Sequence, residues 1–397
     1  MSGLPEQPSS PASPTSKKPD DTAFKQQRLP AWHPTYSPPF VIGCFLTIGI
    51  AFIPIGAAII VASDSINELA LRYDHLQACP FGARRPELGY ACEPLNFTFS
   101  VAQTWKAPVF MFYQLDNFYQ NHRRYARSKS DLQLSGEDVP SSALEDCAPF
   151  TTPGQYSLQD ANLTALYSST VSIDLRSVVY NPCGLIAWSM FNDSFRLTKE
   201  DSLSATANSS TVVCDGENFD AIGDVRDPSV RMVCSKRGIA WPSDIGVKYK
   251  PLPKDDSVRR RMLTYAGWPS APANASGAGV FAKRGWYVGE EGHSIPNPLD
   301  EDLMVWMRLA SLSSFRKLYR KIDTDIVAGT YRVSIKQRVD MRAFSGKKAF
   351  ILATTSWIGG KNYFLGGLYV ASGSVCIILG IAFIVKHMTT PRRVGSL

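Results

Sequence analysis

Side chains able to do chemistry are sparse in this chain, and none falls into a working pattern. Of its five histidines, only His75, His122 and His293 lie in the long segment 63–363. A Ser/His/Asp hydrolase would need one of them as base beside a serine on a strained strand-to-helix turn. No Gly-X-Ser-X-Gly string occurs to provide that turn. Neither His-Glu-X-X-His nor Cys-X-X-Cys is present, so zinc has no ligands at the required spacing. Asp64 and Glu68 stand one helical turn apart and Glu290 and Glu291 are adjacent. Carboxylates so arranged read as solvated surface. Gly359-Gly360-Lys361 lacks the earlier glycine and the following hydroxyl of a phosphate loop. The string Asn117-Phe-Tyr-Gln-Asn-His-Arg-Arg-Tyr-Ala-Arg127 interleaves aromatics with arginines. It reads as a structural or protein-contact segment, and nothing in the charge distribution points to nucleic acid. The residues thus predict no catalytic set, no metal site and no cofactor.

The elements that must position this chain are two apolar runs, 40–62 and 364–385, free of Asp, Glu, Lys, Arg and His. Each reaches the roughly 20 residues that a helix needs to cross a hydrocarbon core. Their lack of charge argues against an ion path through them. The first is read as a retained signal anchor rather than a cleaved leader, because it outruns a signal core and follows a long polar leader. Pro54 is expected to kink it. Gly366, Gly367, Ala371, Ser372 and Gly373 form a small-residue patch that would admit a neighbouring helix. The predicted organisation is a largely disordered N-terminal tail (1–39), the first span (40–62), an ectodomain (63–363), the second span (364–385) and a short tail (386–397).

Two spans place both tails on one side. Lys17, Lys18, Lys25, Arg28, Lys386, Arg392 and Arg393 make that side cytosolic. Of the net charge of +7, the tails carry +4 (seven basic and three acidic residues), which leaves the ectodomain nearly balanced. Of eight cysteines, Cys44 and Cys376 fall in the spans and six lie between them: Cys79, Cys92, Cys147, Cys183, Cys214 and Cys234. An even set confined to one compartment predicts disulfides in an oxidising lumen, with about 15 pairings open. Asn96, Asn162, Asn192, Asn208 and Asn274 head Asn-X-Ser/Thr triplets in the same segment and are candidate glycan sites. The predicted location is an integral membrane of the secretory pathway, from endoplasmic reticulum to Golgi, endosome or plasma membrane.

The ectodomain reads as mainly β. Segments 95–101, 331–336 and part of 170–175 alternate apolar and polar residues, and 106–115 reads as a buried strand. Segment 301–310, continued to Tyr319, has helical spacing at Leu303, Met304, Met307 and Ala310, and 267–279 reads as loop. The basic and aromatic strip before the first span, including Arg28, Leu29, Pro30 and Trp32, is either an interfacial anchor or a docking strip for a partner.

Six blocks carry a resemblance: Phe24-Lys-Gln-Gln-Arg-Leu-Pro-Ala-Trp32, the stretch 108–125 from Pro-Val-Phe-Met-Phe-Tyr to Asn-His-Arg-Arg-Tyr, Asn181-Pro-Cys-Gly-Leu-Ile-Ala-Trp-Ser-Met-Phe-Asn-Asp-Ser194, Gly238-Ile-Ala-Trp-Pro-Ser-Asp244, Val305-Trp-Met-Arg-Leu-Ala310 and Trp357-Ile-Gly-Gly-Lys-Asn362. In order and spacing they resemble the accessory β-subunit family of type IV P-type ATPases, the phospholipid flippases. Trp188 and Pro242 depart from the family's pattern. The resemblance implies two membrane helices and an antiparallel β-sandwich-like ectodomain with helical insertions. It implies a non-catalytic subunit that binds a separate catalytic ATPase subunit as a heterodimer among membrane lipids. Such a subunit supports folding, export from the endoplasmic reticulum and activity of that partner. It further implies pairing of Cys147 with Cys183 and of Cys79 with Cys92, which leaves Cys214 and Cys234, and a glycan on Asn192. The rival reading is a free-standing double-pass glycoprotein receptor or adhesion protein.

Overall fold

The computed structural model describes residues 22–29, 37–74, 94–152, 178–200, 210–259, 261–265, 286, 294–339, 341 and 344–390. The chain divides into two compact units, one made of residues 1–58 and 364–397 and the other of 59–363.

The first unit holds most of two long helices, Pro38–Asp64 and Tyr363–Thr389, each of 27 residues. Both overrun the uncharged runs, since helical backbone continues past the last apolar side chain. The first helix runs unbroken through Pro54. In each, under a fifth of the apolar window is buried, 17% and 11%, so neither is the core helix of a soluble fold. Their length and apolar surface make this a membrane protein.

The second unit is built on two antiparallel sheets. Strands are numbered along the chain: β1 Glu68–Arg72, β2 Leu95–Val101, β3 Val109–Asp116, β4 Val179–Tyr180, β5 Ser194–Glu200, β6 Ser210–Asp215, β7 Cys234–Ser235, β8 Met262–Leu263, β9 Phe315–Ile322, β10 Gly329–Lys336 and β11 Lys347–Thr354. One sheet has the order β1-β11-β3-β9-β7 and the other β2-β10-β5-β6, while β4 and β8 form a small parallel pair. Alternation decides what each strand buries. Val109, Met111, Tyr113 and Leu115 of β3 point to the core, as do Tyr331, Val333 and Ile335 of β10. The sheets meet face to face. Phe195 of β5 lies 5.1 Å from Phe350 of β11 and 5.0 Å from Tyr319 of β9, the latter edge-on. This is a sandwich-like core, and such aromatic pairs add about 0.5–1.5 kcal/mol each beyond burial. A second, smaller cluster gathers Phe150, Tyr180, Ile295 and Trp286 around Cys147 and Cys183.

One element differs from its sequence reading. The helical spacing that continues to Tyr319 yields a helix only over Glu301–Met307, and Phe315–Ile322 is strand β9. Arg308 is already extended (φ −76, ψ 100), and the serine-rich run that follows favours local backbone bonding over helix. Tyr319 then has a partner worth more than another helical turn, because β9 is inserted between β3 and β7. Segments 170–175 and 267–279 lie outside the described residues.

Candidate functional site

Three of the six blocks meet at Trp306, and a fourth joins them through Glu301 and Arg308. Its indole N–H donates to the Ile186 carbonyl at 2.8 Å, so the 305–310 block is pinned to the 181–194 block. Phe118 stands edge-on to Trp306 at 5.6 Å, and Tyr113 approaches at 6.5 Å. Gln120, fully buried, spans the same gap: its amide donates to Trp306 O at 3.4 Å and its Oε1 accepts from Ala310 N at 2.9 Å. Tyr125 Oη and Ser189 Oγ are 2.8 Å apart. The 238–244 block joins through Glu301, whose carboxylate accepts from Gly238 N at 3.1 Å and Ala240 N at 2.9 Å. Asp244 then closes the contact by a two-point bond to Arg308, at 2.6 and 3.2 Å. The Arg308 guanidinium lies over the Trp241 ring, 4.9 Å from its centroid. The residues in these blocks are therefore mostly interior joints between distant segments.

Two ionic clusters are buried between the layers, and neither stood out in the sequence. Lys348 Nζ lies 2.6 Å from Asp193 Oδ2, and both side chains are essentially inaccessible, at 2% and 0%. Asp193 also accepts from Tyr73 Oη at 2.9 Å and from the backbone N–H groups of Arg338 and Val339 at 2.5 and 2.7 Å. Burial, reinforced by the Asp193 charge, holds the Tyr73 phenol well above its ordinary pKa. The second cluster sets Lys236 2.8 Å from Asp300 and 3.1 Å from Asp302, with Arg320 at 2.7 Å from Asp302. Burial followed by repulsion from Asp302 pushes Asp300 up to about 6. For Asp302 burial acts in the same upward sense, but Arg320 and Lys236 outweigh it and hold its carboxyl low. Two largely buried cations and two part-buried anions thus neutralise each other, which a lone buried charge cannot do. Their partners are 155 residues apart in the first cluster, a separation no local pattern reports.

The described residues contain no group of three or more His, Cys, Asp or Glu placed to hold a metal. Disulfides join Cys147 to Cys183 and Cys214 to Cys234, while Cys44 and Cys376 are free. Cys79 and Cys92 lie outside the described residues. Among the glycan candidates, Asn96 is exposed on β2, where its Oδ1 accepts from Ser334 Oγ, and Asn192 is half-buried just before β5. Asn162, Asn208 and Asn274 fall outside the described residues, as do Pro30 and Trp32. Arg28 and Leu29 follow a turn closed by Arg28 N to Ala23 O at 2.7 Å, and Leu29 is exposed.

Of the small-residue patch, Gly366 and Gly373 face the chain's own first helix, whereas Gly367 has nothing within 4 Å of a Cβ position. A Cβ placed on Gly56 would sit 2.8 Å from the Gly366 carbonyl oxygen, and one on Gly373 would sit 2.9 Å from Ile53 Cγ1. Gly49 and Gly380 are equally tight, against Ile377 and Leu46. Gly366, Gly373 and Gly380 recur every seven residues and so share one face, which lets the two backbones approach. Phe45 with Phe383 and Phe52 with Tyr369 close the flanks at 5.6 and 5.1 Å.

The family model described as LEM3 (ligand-effect modulator 3) family / CDC50 family matches residues 59–393, which include the whole ectodomain and the second helix. This chain belongs to the LEM3/CDC50 family. It is 34% identical to "ALA-interacting subunit 3" of Arabidopsis thaliana over 98% of this chain and 91% of that protein. It is 34% identical to "Cell cycle control protein 50A" of Mus musculus, covering 93% and 89%, and 32% identical to "Cell cycle control protein 50B" of Homo sapiens, covering 94% of each. As a CDC50-family chain it aligns with these three relatives over 93–98% of its length. The Trp306 hub therefore lies within the segment that defines the family.

Proposed function

We propose that this chain is the non-catalytic accessory subunit of a phospholipid-translocating type IV P-type ATPase. The observation that carries the reading is end-to-end similarity, over 98% of this chain, to a protein whose name is that of an interacting subunit. The interior agrees with it. The buried ionic groups serve the fold's own joints, and the conspicuous blocks lock segments of this chain together, as expected of a scaffold. In this reading the tails are cytosolic and the ectodomain is lumenal, with glycans on the candidate asparagines. The pair assembles in the endoplasmic reticulum, and the accessory chain supports folding, export and activity of the catalytic subunit, which moves lipid to the cytosolic leaflet. Contact with the partner involves the strip Arg28, Leu29, Pro30 and Trp32 together with the ectodomain and the outward faces of the two helices. Several modest contacts on one membrane-held chain add through effective concentration.

The test compares lipid-stimulated ATP hydrolysis and export of the co-expressed catalytic subunit with and without this chain. Loss of either without it is the expected result. Equal activity together with equal export means that the chain is no accessory subunit. Deleting residues 24–33 should leave a folded ectodomain and impair assembly or activity of the pair. Unchanged assembly and activity would remove the strip from the interface.

A further inference from the structure

The eight residues between the last strand and the second helix, 355–362, are tied down at both ends to the exit of the first helix. At one end Thr354 N donates to Asn67 O at 2.9 Å, and Asn67 N donates to Thr354 Oγ1 at 3.0 Å. Asn67 is three residues past Asp64, where the first helix ends. At the other end Asn362 N donates to Ser63 Oγ at 3.3 Å, and Tyr363 Oη donates to Asp64 Oδ1 at 2.6 Å. A segment clamped this way stays close to the end of the first helix. Thr354 and Trp357 are three residues apart, and three extended residues reach at most about 11 Å.

Within the segment the backbone folds on itself. Ser356 and Gly359 exchange both backbone hydrogen bonds at 2.9 Å, which leaves Trp357 and Ile358 at the apex of a tight hairpin. Gly359 adopts φ +103, a conformation that L side chains resist, so the turn depends on that glycine. The apex is apolar, and Trp357 is 80% exposed, the most exposed large apolar side chain among the described residues. Trp241, also exposed, has Arg308 stacked on its ring, whereas among the described residues no aromatic or cationic contact is made by Trp357. Beside the apex, Lys361 Nζ sits 5.1 Å over the Tyr363 ring. Trp357, Lys361 and Tyr363 lie close together in the chain, and tryptophan, lysine and tyrosine are the residues that favour a bilayer's headgroup zone. The indole ring enters the acyl boundary while its N–H and the ammonium meet headgroup oxygens.

We propose that the Trp357–Ile358 apex inserts into the interface of the leaflet on the ectodomain side and serves as a lipid-surface anchor that fixes the β-sandwich against the membrane. The occupant is lipid, because the segment's two clamps hold it at the helix exits, where headgroups are the surrounding medium. This does not depend on the identity of any protein partner.

The test uses the full-length chain in nanodiscs whose phosphatidylcholine is brominated either near the glycerol end or near the acyl terminus. Bromine near the glycerol end should quench the wild-type tryptophan emission more strongly, and Trp357→Phe should remove most of that difference. If Trp357→Phe leaves bromine quenching unchanged, or removes instead a component quenched by aqueous iodide, the apex faces water or protein and the anchor is refuted. A second reporter guards against a misfolded variant. In a Cys44→Ser/Cys376→Ser background, an environment-sensitive dye on Ile358→Cys should emit blue-shifted in nanodiscs. Water-like emission from that dye refutes the proposal.

Discussion

Among the described residues Asp193 is the most heavily engaged carboxylate, binding Lys348, Tyr73 and two backbone N–H groups at once. Lys348→Met leaves that charge buried without its counter-ion, and the expected cost is about 3–5 kcal/mol in a thermal or urea melt. Adding Asp193→Leu should not restore wild-type stability, because the backbone N–H groups of Arg338 and Val339 and the Tyr73 hydroxyl then lose their acceptor. A double variant as stable as wild type would show that the network is dispensable. Asp193→Asn is informative in another way: it keeps the Asn192 triplet intact, so a loss of export in that variant reports folding rather than a missing glycan. Glu217 sets a pH dependence. Burial would raise its carboxyl, but hydrogen bonds from Lys336, Ser194 and Arg338 prevail and hold it at about 2, against 4.5 for a free glutamate. A folded-state value below the unfolded one gives stability that is present above about pH 4.5 and is lost as the pH falls toward 2. Glu217→Gln should therefore lower neutral-pH stability by about 1 kcal/mol, a value reduced by solvent screening, and flatten the acid limb in that window. An acid limb as steep as wild type would contradict this.

At the scale of elements, the helix pair depends on absent side chains. Gly56 and Gly373 have no room for a Cβ, while Gly43 and Gly367 have nothing within 4 Å of one. Gly56→Leu and Gly373→Leu should separate the helices and lower the melting temperature of the detergent-solubilised chain, and Gly43→Leu and Gly367→Leu should be near neutral. Equal effects in all four would mean that the glycines do not form the contact. The patch was visible in the sequence as small residues; what it packs against was not, because a single helix gives no sign of which neighbour its glycines meet. The Glu301–Met307 helix shows the same limit. Its apolar spacing was legible, but its end was set by Gln120 bonding Ala310 N, and by β9 pairing with β3 beyond it.

Across the whole molecule the disulfides have different reach. Cys214–Cys234 ties β6 to β7 and therefore one sheet to the other, across 20 residues, whereas Cys147–Cys183 closes 36 residues around the smaller cluster. The chain-entropy model gives each roughly 3–4 kcal/mol, so the distinction lies in what is released. Removing the first bridge with Cys214→Ser/Cys234→Ser should lower the melting temperature of the entire ectodomain. Removing the second with Cys147→Ser/Cys183→Ser should first raise hydrogen exchange around Phe150 and Tyr180. Global loosening from the second pair and none from the first would reverse this assignment.

The sequence by itself determined two membrane helices, an even cysteine set between them, a mainly β ectodomain and the family. These follow from run length, composition and period-two alternation, which are local in the chain and need no partner to be read. Strands 95–101 and 331–336 were legible for that reason. Only the tertiary structure decided that β2 pairs with β10, that Trp306 joins its own block to two distant ones, and that Asp193 meets Lys348. Those are contacts between segments far apart in sequence, and their free energy exists only once the sheets have closed and water has left the interface. The same holds for Trp357: the sequence showed an aromatic near a span, and the clamps at Ser63, Asp64 and Asn67 decided that its segment is tied to the end of the first helix.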